Sequence, residues 1–263
     1  MSGRAEDHAA ETRRFDPADL TEDDLLGGRV RLLQPRHGYR AGTDPVMLAA
    51  ACPALPGESA LDLGCGAGAA ALCLGARAPG VDLHGLEVQP AYAALAAVNG
   101  AAAGLTVHEG DAREPPAALR ALSFDHVLTN PPWFPAEAPA SPDAGRAVAR
   151  LARVSTGAWV DAALRRLKPR GRLTLIHRAE RLGEILAALE GRAGDIRVLP
   201  LAAREGRPAG RVIVAARKGA RGPLSLLAPL ALHEGPCHVR DGDDFSPAAA
   251  AILRGAEPLD LDR

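Results

Sequence analysis

"LDLGCGAGAAAL", residues 61–72, runs from an apolar stretch into three glycines at alternate positions and then into alanine and leucine. Glycines at 64, 66 and 68 let the backbone turn sharply and approach a ligand with no Cβ in the way. The helix that follows offers unpaired N–H groups at its first turn. The spacing is G-x-G-x-G. A dinucleotide fingerprint, G-x-G-x-x-G, would place its third glycine at position 69, where Ala69 stands. The stretch reads as the turn between a first strand and a first helix, with Gly64, Gly66 and Gly68 shaped for a cofactor other than a dinucleotide.

The same rhythm continues on the C-terminal side. Strand-like "SALDLG" (59–64) leads to the helical "AAALCLGARA" (69–78), then "VDLHGLEV" (81–88) leads to "PAYAALAAVNGAAAG" (90–104). "LTVHEGD" (105–111), "FDHVLTN" (124–130) and "RLTLIH" (172–177) are further strands. "WVDAALRRLK" (159–168) and "AERLGEILAALEGR" (179–192) are helices. "IRVLPL" (196–201) and "RVIVAARK" (211–218) have only a loop between them, so they pair antiparallel. Strands alternating with helices make a parallel sheet covered on both faces. The result is an α/β, Rossmann-like fold with a seven-stranded, mostly parallel sheet whose last strand is antiparallel. This is the layout of class I S-adenosylmethionine (SAM) methyltransferases.

Before that core, residues 1–18 read as a polar, solvated tail. Residues 19–58 read as an extension, with a hairpin in "LLGGRVRLLQP" (25–35) and a helix from Asp44 to Cys52. The methyltransferase core spans 59–218, and 219–263 is a C-terminal appendage.

Acidic residues close successive strands, where ligands of such sheets bind. Glu87 ends the second strand and would reach the two ribose hydroxyls of a nucleoside cofactor. Asp111, in "GDA" (110–112), would accept from an adenine amino group. Asp62 would face the methionine ammonium, directly or through water. SAM fits this set as cofactor.

"LTNPPWFP" (128–135) closes the fourth strand, next to the point where strand order reverses. Two adjacent rings are notable in a chain that is 3% aromatic. An exocyclic amino group on a planar ring is a poor nucleophile because its lone pair is delocalised. The Asn130 side-chain oxygen and the Pro131 carbonyl can both accept hydrogen bonds from one NH₂ group and aim that lone pair at the methyl donor. Pro131 and Pro132 hold the acceptors rigid. Trp133, with Phe134 beside it, supplies a flat face for stacking a base. No strong general base is needed.

The chain of 263 residues has a formal net charge of −1, and Lys168 and Lys218 are its only lysines. Nucleic-acid binding would therefore rest on local arginine patches. Two are visible: Arg146, Arg150, Arg153, Arg165 and Arg166 after the NPPW stretch, and Arg204, Arg207 and Arg211 in "AAREGRPAGR". The four cysteines (Cys52, Cys65, Cys73, Cys237) follow no metal or disulfide spacing, as suits a reducing cytosol. No apolar window approaches the roughly 20 residues of a membrane span.

With these residues in hand, the chain resembles the bacterial tRNA(Val) adenine N6-methyltransferases from about Asp19 to the C-terminus. "LLGGRVRLLQPRHGYRAGTDPVMLAA" (25–50), "NPPWF", "REGRPAGRVIVAARKG" (204–219), "LALHE" (230–234) and "FSPAAAAIL" (245–253) carry the resemblance. It implies a SAM-dependent transfer to N6 of adenine 37 in the tRNA anticodon loop, in the cytoplasm, by a monomer or homodimer without metal. It also implies that Tyr39, Arg40 and Asp44 lie over the cofactor. Glutamine methylation of a release factor uses the same Asn-Pro-Pro-aromatic logic, but that family normally carries a helical domain before the core. Guanine N2-methyltransferases of ribosomal RNA often have a duplicated domain, which this length excludes. A non-catalytic SAM- or RNA-binding module would have no use for the acceptors at Asn130.

Overall fold

Alternate residues of the central strands point into two separate apolar layers, and this builds the molecule. In β3 (Ser59–Leu63) Ala60 faces one layer, while Leu61 and Leu63 face the other. β6 (Phe124–Thr129) divides Leu128 from Val127 in the same way. β7 (Leu167–Arg178) divides Ile176 from Leu173 and Leu175. Strands apolar on both faces must be covered on both. α1 (Thr43–Ala51), α2 (Ala69–Arg77) and α3 (Pro90–Gly100) cover the first face. α5 (Thr156–Arg166) and α6 (Leu182–Leu189) cover the second. A short α4 (Ala117–Arg120) precedes β6. The computed structural model describes residues 14–132, 154–235, 237 and 244–262.

β3 pairs in parallel with β4 (Asp82–Glu87) and with β6, β4 with β5 (Thr106–Glu109), and β6 with β7. β9 (Ala209–Lys218) runs antiparallel between β7 and β8 (Ala193–Arg204). The core order is β8-β9-β7-β6-β3-β4-β5, the seven strands expected, with one reversed. The sheet is nevertheless nine-stranded. β10 (Ser225–Leu226) and β11 (Leu230–His233), from the appendage, add in parallel to the outer edge of β8. Strands of two and four residues, separated by Pro229, are too short to show a period of two. α7 (Pro247–Leu253) then returns to the first apolar layer.

Ahead of the core, β1 (Leu20–Leu25) and β2 (Val30–Pro35) form a hairpin, with Leu20 opposite Pro35 and Leu25 opposite Val30. Asn99 of α3 ties it down. Its Oδ1 accepts from Leu33 N at 3.0 Å, and its Nδ2 donates to Leu33 O at 3.0 Å and to Ala67 O at 2.9 Å. One side chain thus joins hairpin, helix and glycine loop. Among the described residues no helix is long and apolar enough to cross a membrane.

Candidate active site

A cavity of about 870 Å³ lies at the carboxyl ends of the strands, around the point where strand order reverses between β3 and β6. Its floor is the β3–α2 turn. Gly64 adopts φ +80°, and a Cβ there would sit 2.8 Å from the indole of Trp159. Gly66 adopts φ +56° with the Tyr39 ring 3.4 Å from where its Cβ would be. Both positions thus need left-handed backbone and an absent side chain at once. The turn hangs from β4 through Gly64 N and Cys65 N, which donate to Leu86 O at 2.8 and 3.0 Å.

Glu87 ends β4 as expected and is 5% exposed. Its Oε2 accepts from Gly66 N at 3.0 Å and its Oε1 from Gln89 N at 2.8 Å. Burial raises its pKa, and these backbone N–H groups pull it back down. The Val88 backbone and the Gln89 side chain also donate to it, so a donor from the cavity would share the carboxylate with them. Two oxygens beside a glycine cradle suit the two hydroxyls of a ribose. Asp62 is buried below the turn, with Oδ2 accepting from Ala71 N at 3.1 Å. Burial lifts its pKa to about 7, the Ala71 bond opposes this, and the nearby Glu87 charge adds to it. A smaller hollow lined by Asp62, Gly64, Tyr39 and Asn130 adjoins the main cavity.

The segment between β2 and α1 closes the cavity from above. Tyr39 is pinned by Tyr92, whose hydroxyl donates to Tyr39 O at 3.0 Å. The Tyr39 hydroxyl meets the Asn130 side chain. Burial of that hydroxyl, then the Asp62 and Asp44 charges, push its pKa up to about 12, so it remains a neutral phenol. Asp44 also lines the cavity and holds Arg211 Nε at 3.0 Å. Asn130, Pro131 and Pro132 form the wall following β6. Beneath them Thr129 is fully buried, donating to Leu63 O at 2.7 Å and accepting from Trp159 Nε1 at 2.6 Å. This chain of bonds fixes the ends of β3 and β6 to α5.

Four expected residues are engaged elsewhere. The first is Gly68, which the G-x-G-x-G spacing puts in the cofactor site but which lines neither the cavity nor the adjoining hollow. It caps α2 in left-handed backbone, φ +93°. A Cβ there would meet Leu105 Cδ2 at 3.4 Å and Ala96 Cβ at 3.6 Å, so the missing side chain lets α2 pack against α3. Its N–H is already donated to Cys65 O at 2.8 Å and is not offered to a ligand. Gly68 closes the turn; Gly64 and Gly66 line the cavity.

Arg40 turns back to the hairpin, bonding Thr21 Oγ1 at 2.7 Å, Pro35 O at 2.8 Å and Asp23 Oδ2 at 2.7 Å. It braces the segment that carries Tyr39 and does not line the cavity. Gly110 and Ala112 line it, but the carboxylate between them does not: Asp111 pairs with Arg113, at 2.6 Å from Nη2 and 3.1 Å from Nε. It would hold an adenine amino group only by sharing itself with that guanidinium. Arg204 pairs with Asp244 and bonds the Glu234 carbonyl, clamping the appendage to β8. Its charge is spent within the fold.

Among the other arginines, Arg165 pairs with Asp161, and Arg166 donates to the carbonyls of Leu119 and Arg120. Arg207 is exposed in the β8–β9 turn. Trp133, Phe134, Arg146, Arg150 and Arg153 lie outside the described residues. Phe15 corrects the reading of residues 1–18 as solvated throughout: it packs edge-on against Tyr92 with centroids 5.0 Å apart and lines the cavity. Tyr92, Trp159, His177 and Arg178 also line it without having been singled out. One signal was available. Four of the eight aromatic residues (Phe15, Tyr39, Tyr92 and Trp159) converge on this cavity in a chain that has few.

Sheet order, glycine turn and strand-end carboxylate define a class I SAM-dependent methyltransferase. The chain belongs to the methyltransferase small domain family, whose model matches residues 42–199, and within it to the tRNA1(Val) (adenine(37)-N6)-methyltransferases. It is 31% identical over 229 residues to the protein of that name from Dickeya chrysanthemi (strain Ech1591), covering 83% of this chain and 88% of the relative. It is 32% identical over 181 residues to the one from Porphyromonas gingivalis (strain W83), covering 61% and 69%. Among solved structures, a predicted O-methyltransferase from Agrobacterium tumefaciens superposes with a TM-score of 0.68 at 26% identity. That match covers 84% of this chain and all of the other.

Proposed function

We propose that the enzyme methylates N6 of adenine 37 in the anticodon loop of tRNA1(Val), acting in the cytoplasm. The observation that carries this reading is Asn130 at the junction of the cavity, held against the Tyr39 hydroxyl. An Asn130 N–H directed at the Tyr39 oxygen leaves Oδ1 as an acceptor, and the Pro131 carbonyl is the adjacent one. Together they can take both hydrogens of an exocyclic amino group. The adenine N6 lone pair then forms the new N–C bond while the S–C bond breaks, and the proton leaves to water. Bound SAM supplies the electrophilic methyl. Glu87 would hold its ribose, and the glycine turn would keep the backbone close to it. Pro131 and Pro132 fix the acceptors before reaction, so little reorganisation is needed as charge develops on nitrogen.

Asp62 would face the cofactor ammonium, and this has a measurable consequence. Its carboxyl is raised to about pH 7 in the free protein, so a cation placed beside it lowers the pKa and expels a proton. SAM affinity should rise between about pH 5.5 and 7.5. Calorimetry in buffers of different ionisation enthalpy should show net proton release, absent in Asp62→Asn. In the cofactor-free protein the sign is opposite: the neutral carboxyl contributes stability at low pH that is lost as pH rises through about 7.

Purified protein with methyl-labelled SAM and total tRNA should yield labelled N6-methyladenosine. Affinity for tRNA should fall steeply with salt, because any arginine–phosphate contacts release counterions. SAM affinity should hardly change. Label appearing on a release factor and not on RNA, or salt-independent binding, would refute the reading.

A further inference from the structure

The cavity has two halves, with Asn130 between them. One half is built by the ends of β3 and β4, with Gly64, Gly66 and Glu87. The other is built by the ends of β7 and β9, with His177, Arg178 and Arg211. The first half holds the cofactor, so the target base must enter over the second. Thr129 pairs with Leu175 across the parallel β6–β7 ladder. β6 ends there, two residues before Pro131, the residue whose carbonyl would hold the amino group. His177 follows Leu175 by two residues on β7, and Pro131 and His177 both line the cavity.

His177 is 4% exposed, and it has no hydrogen-bond partner among the described residues. Burial holds its pKa down to about 4. The surrounding Arg181, Arg211 and Arg178 act in the same direction, and Glu184 opposes them. The ring is therefore neutral at physiological pH and presents one N–H donor and one acceptor nitrogen. Its ring nitrogens are not sealed in the core but open onto the cavity, where a ligand can pair with them.

We propose that His177 reads the target adenine, its ring N–H donating to a ring nitrogen near the amino-bearing carbon, N1 or N7. The inference rests on the proposed adenine methylation and adds to it a residue that recognises the base. Asn130 and Pro131 detect the presence of an amino group. They do not distinguish its ring from others that carry one. A ring N–H donor adds that discrimination: at N1 it would reject guanine, whose N1 carries hydrogen, and at N7 it would require a purine.

The test uses full-length tRNA1(Val) assembled with adenosine, 1-deazaadenosine or 7-deazaadenosine at the target position. Wild-type enzyme should lose roughly tenfold to hundredfold in kcat/KM on one deaza substrate, the range expected for one buried hydrogen bond. His177→Ala should lose a similar factor on the adenosine tRNA, yet within threefold nothing more on that same deaza substrate. His177→Asn should recover part of the loss, and SAM affinity should stay within twofold in both variants. Wild-type rates that are equal on all three tRNAs would overturn the assignment without depending on the folding of any variant. So would losses from variant and analogue that multiply. A wild-type enzyme that methylates no tRNA at all refutes the adenine reading itself, a distinct result from one that methylates tRNA but ignores both deaza changes.

Discussion

Asn130→Ala should lower kcat by roughly 10²–10³ while leaving SAM affinity close to wild type. The amide is used most as the substrate nitrogen changes from planar towards tetrahedral. Its loss therefore appears in the transition state more than in either bound ground state. One preorganised polar contact of this kind is typically worth that factor. Thr129, Leu63 and Trp159 fix the wall from below, so the fold should tolerate the truncation. Single-turnover kinetics with tRNA, beside calorimetry for SAM, separates the two effects. A variant that turns over normally, or that loses SAM binding in proportion to rate, would remove Asn130 from the reacting centre.

Glu87→Ala should weaken SAM binding by about 2–4 kcal/mol through the loss of two charge-assisted hydrogen bonds. That is roughly thirtyfold to several-hundredfold in Kd. The carboxylate also accepts from Gly66 N and Gln89 N, so its removal frees two N–H groups and loosens the glycine turn. Glu87→Gln retains acceptor capacity on one oxygen and should lose less. Unchanged SAM affinity in Glu87→Ala would exclude the residue from the cofactor site.

Much of this was legible before the structure because it is local. The alternation of apolar runs located the seven core strands, and the glycine spacing located the turn whose positive φ values require glycine. Glu87 and Asn130 stood out because they lie at strand ends, where ligands of such sheets bind, and both line the cavity. What was missed depends on partners distant in sequence. Gly68 shares the spacing of Gly64 and Gly66, but the neighbours that need it bare are Ala96 and Leu105, on the next helix and beyond. Arg40 was expected over the cofactor and Arg204 at RNA phosphate, but their carboxylate partners are Asp23 and Asp244. Trp159 and His177 lie in an ordinary helix and strand, and only the packing of α5 and β7 against β6 brings them to the cavity. Phe15 sits among polar neighbours, so its packing on Tyr92 has no periodic signal. Asp111 lies two residues past the end of β5, and its local pairing with Arg113 gives no signal in the apolar pattern.

The most direct measurement is nucleoside mass spectrometry, with position mapping, of tRNA1(Val) from a strain lacking this gene. The account predicts that N6-methyladenosine at position 37 disappears and that unmodified adenosine takes its place. The wild-type gene should restore it and Asn130→Ala should not. Undiminished N6-methyladenosine at that position would contradict the account.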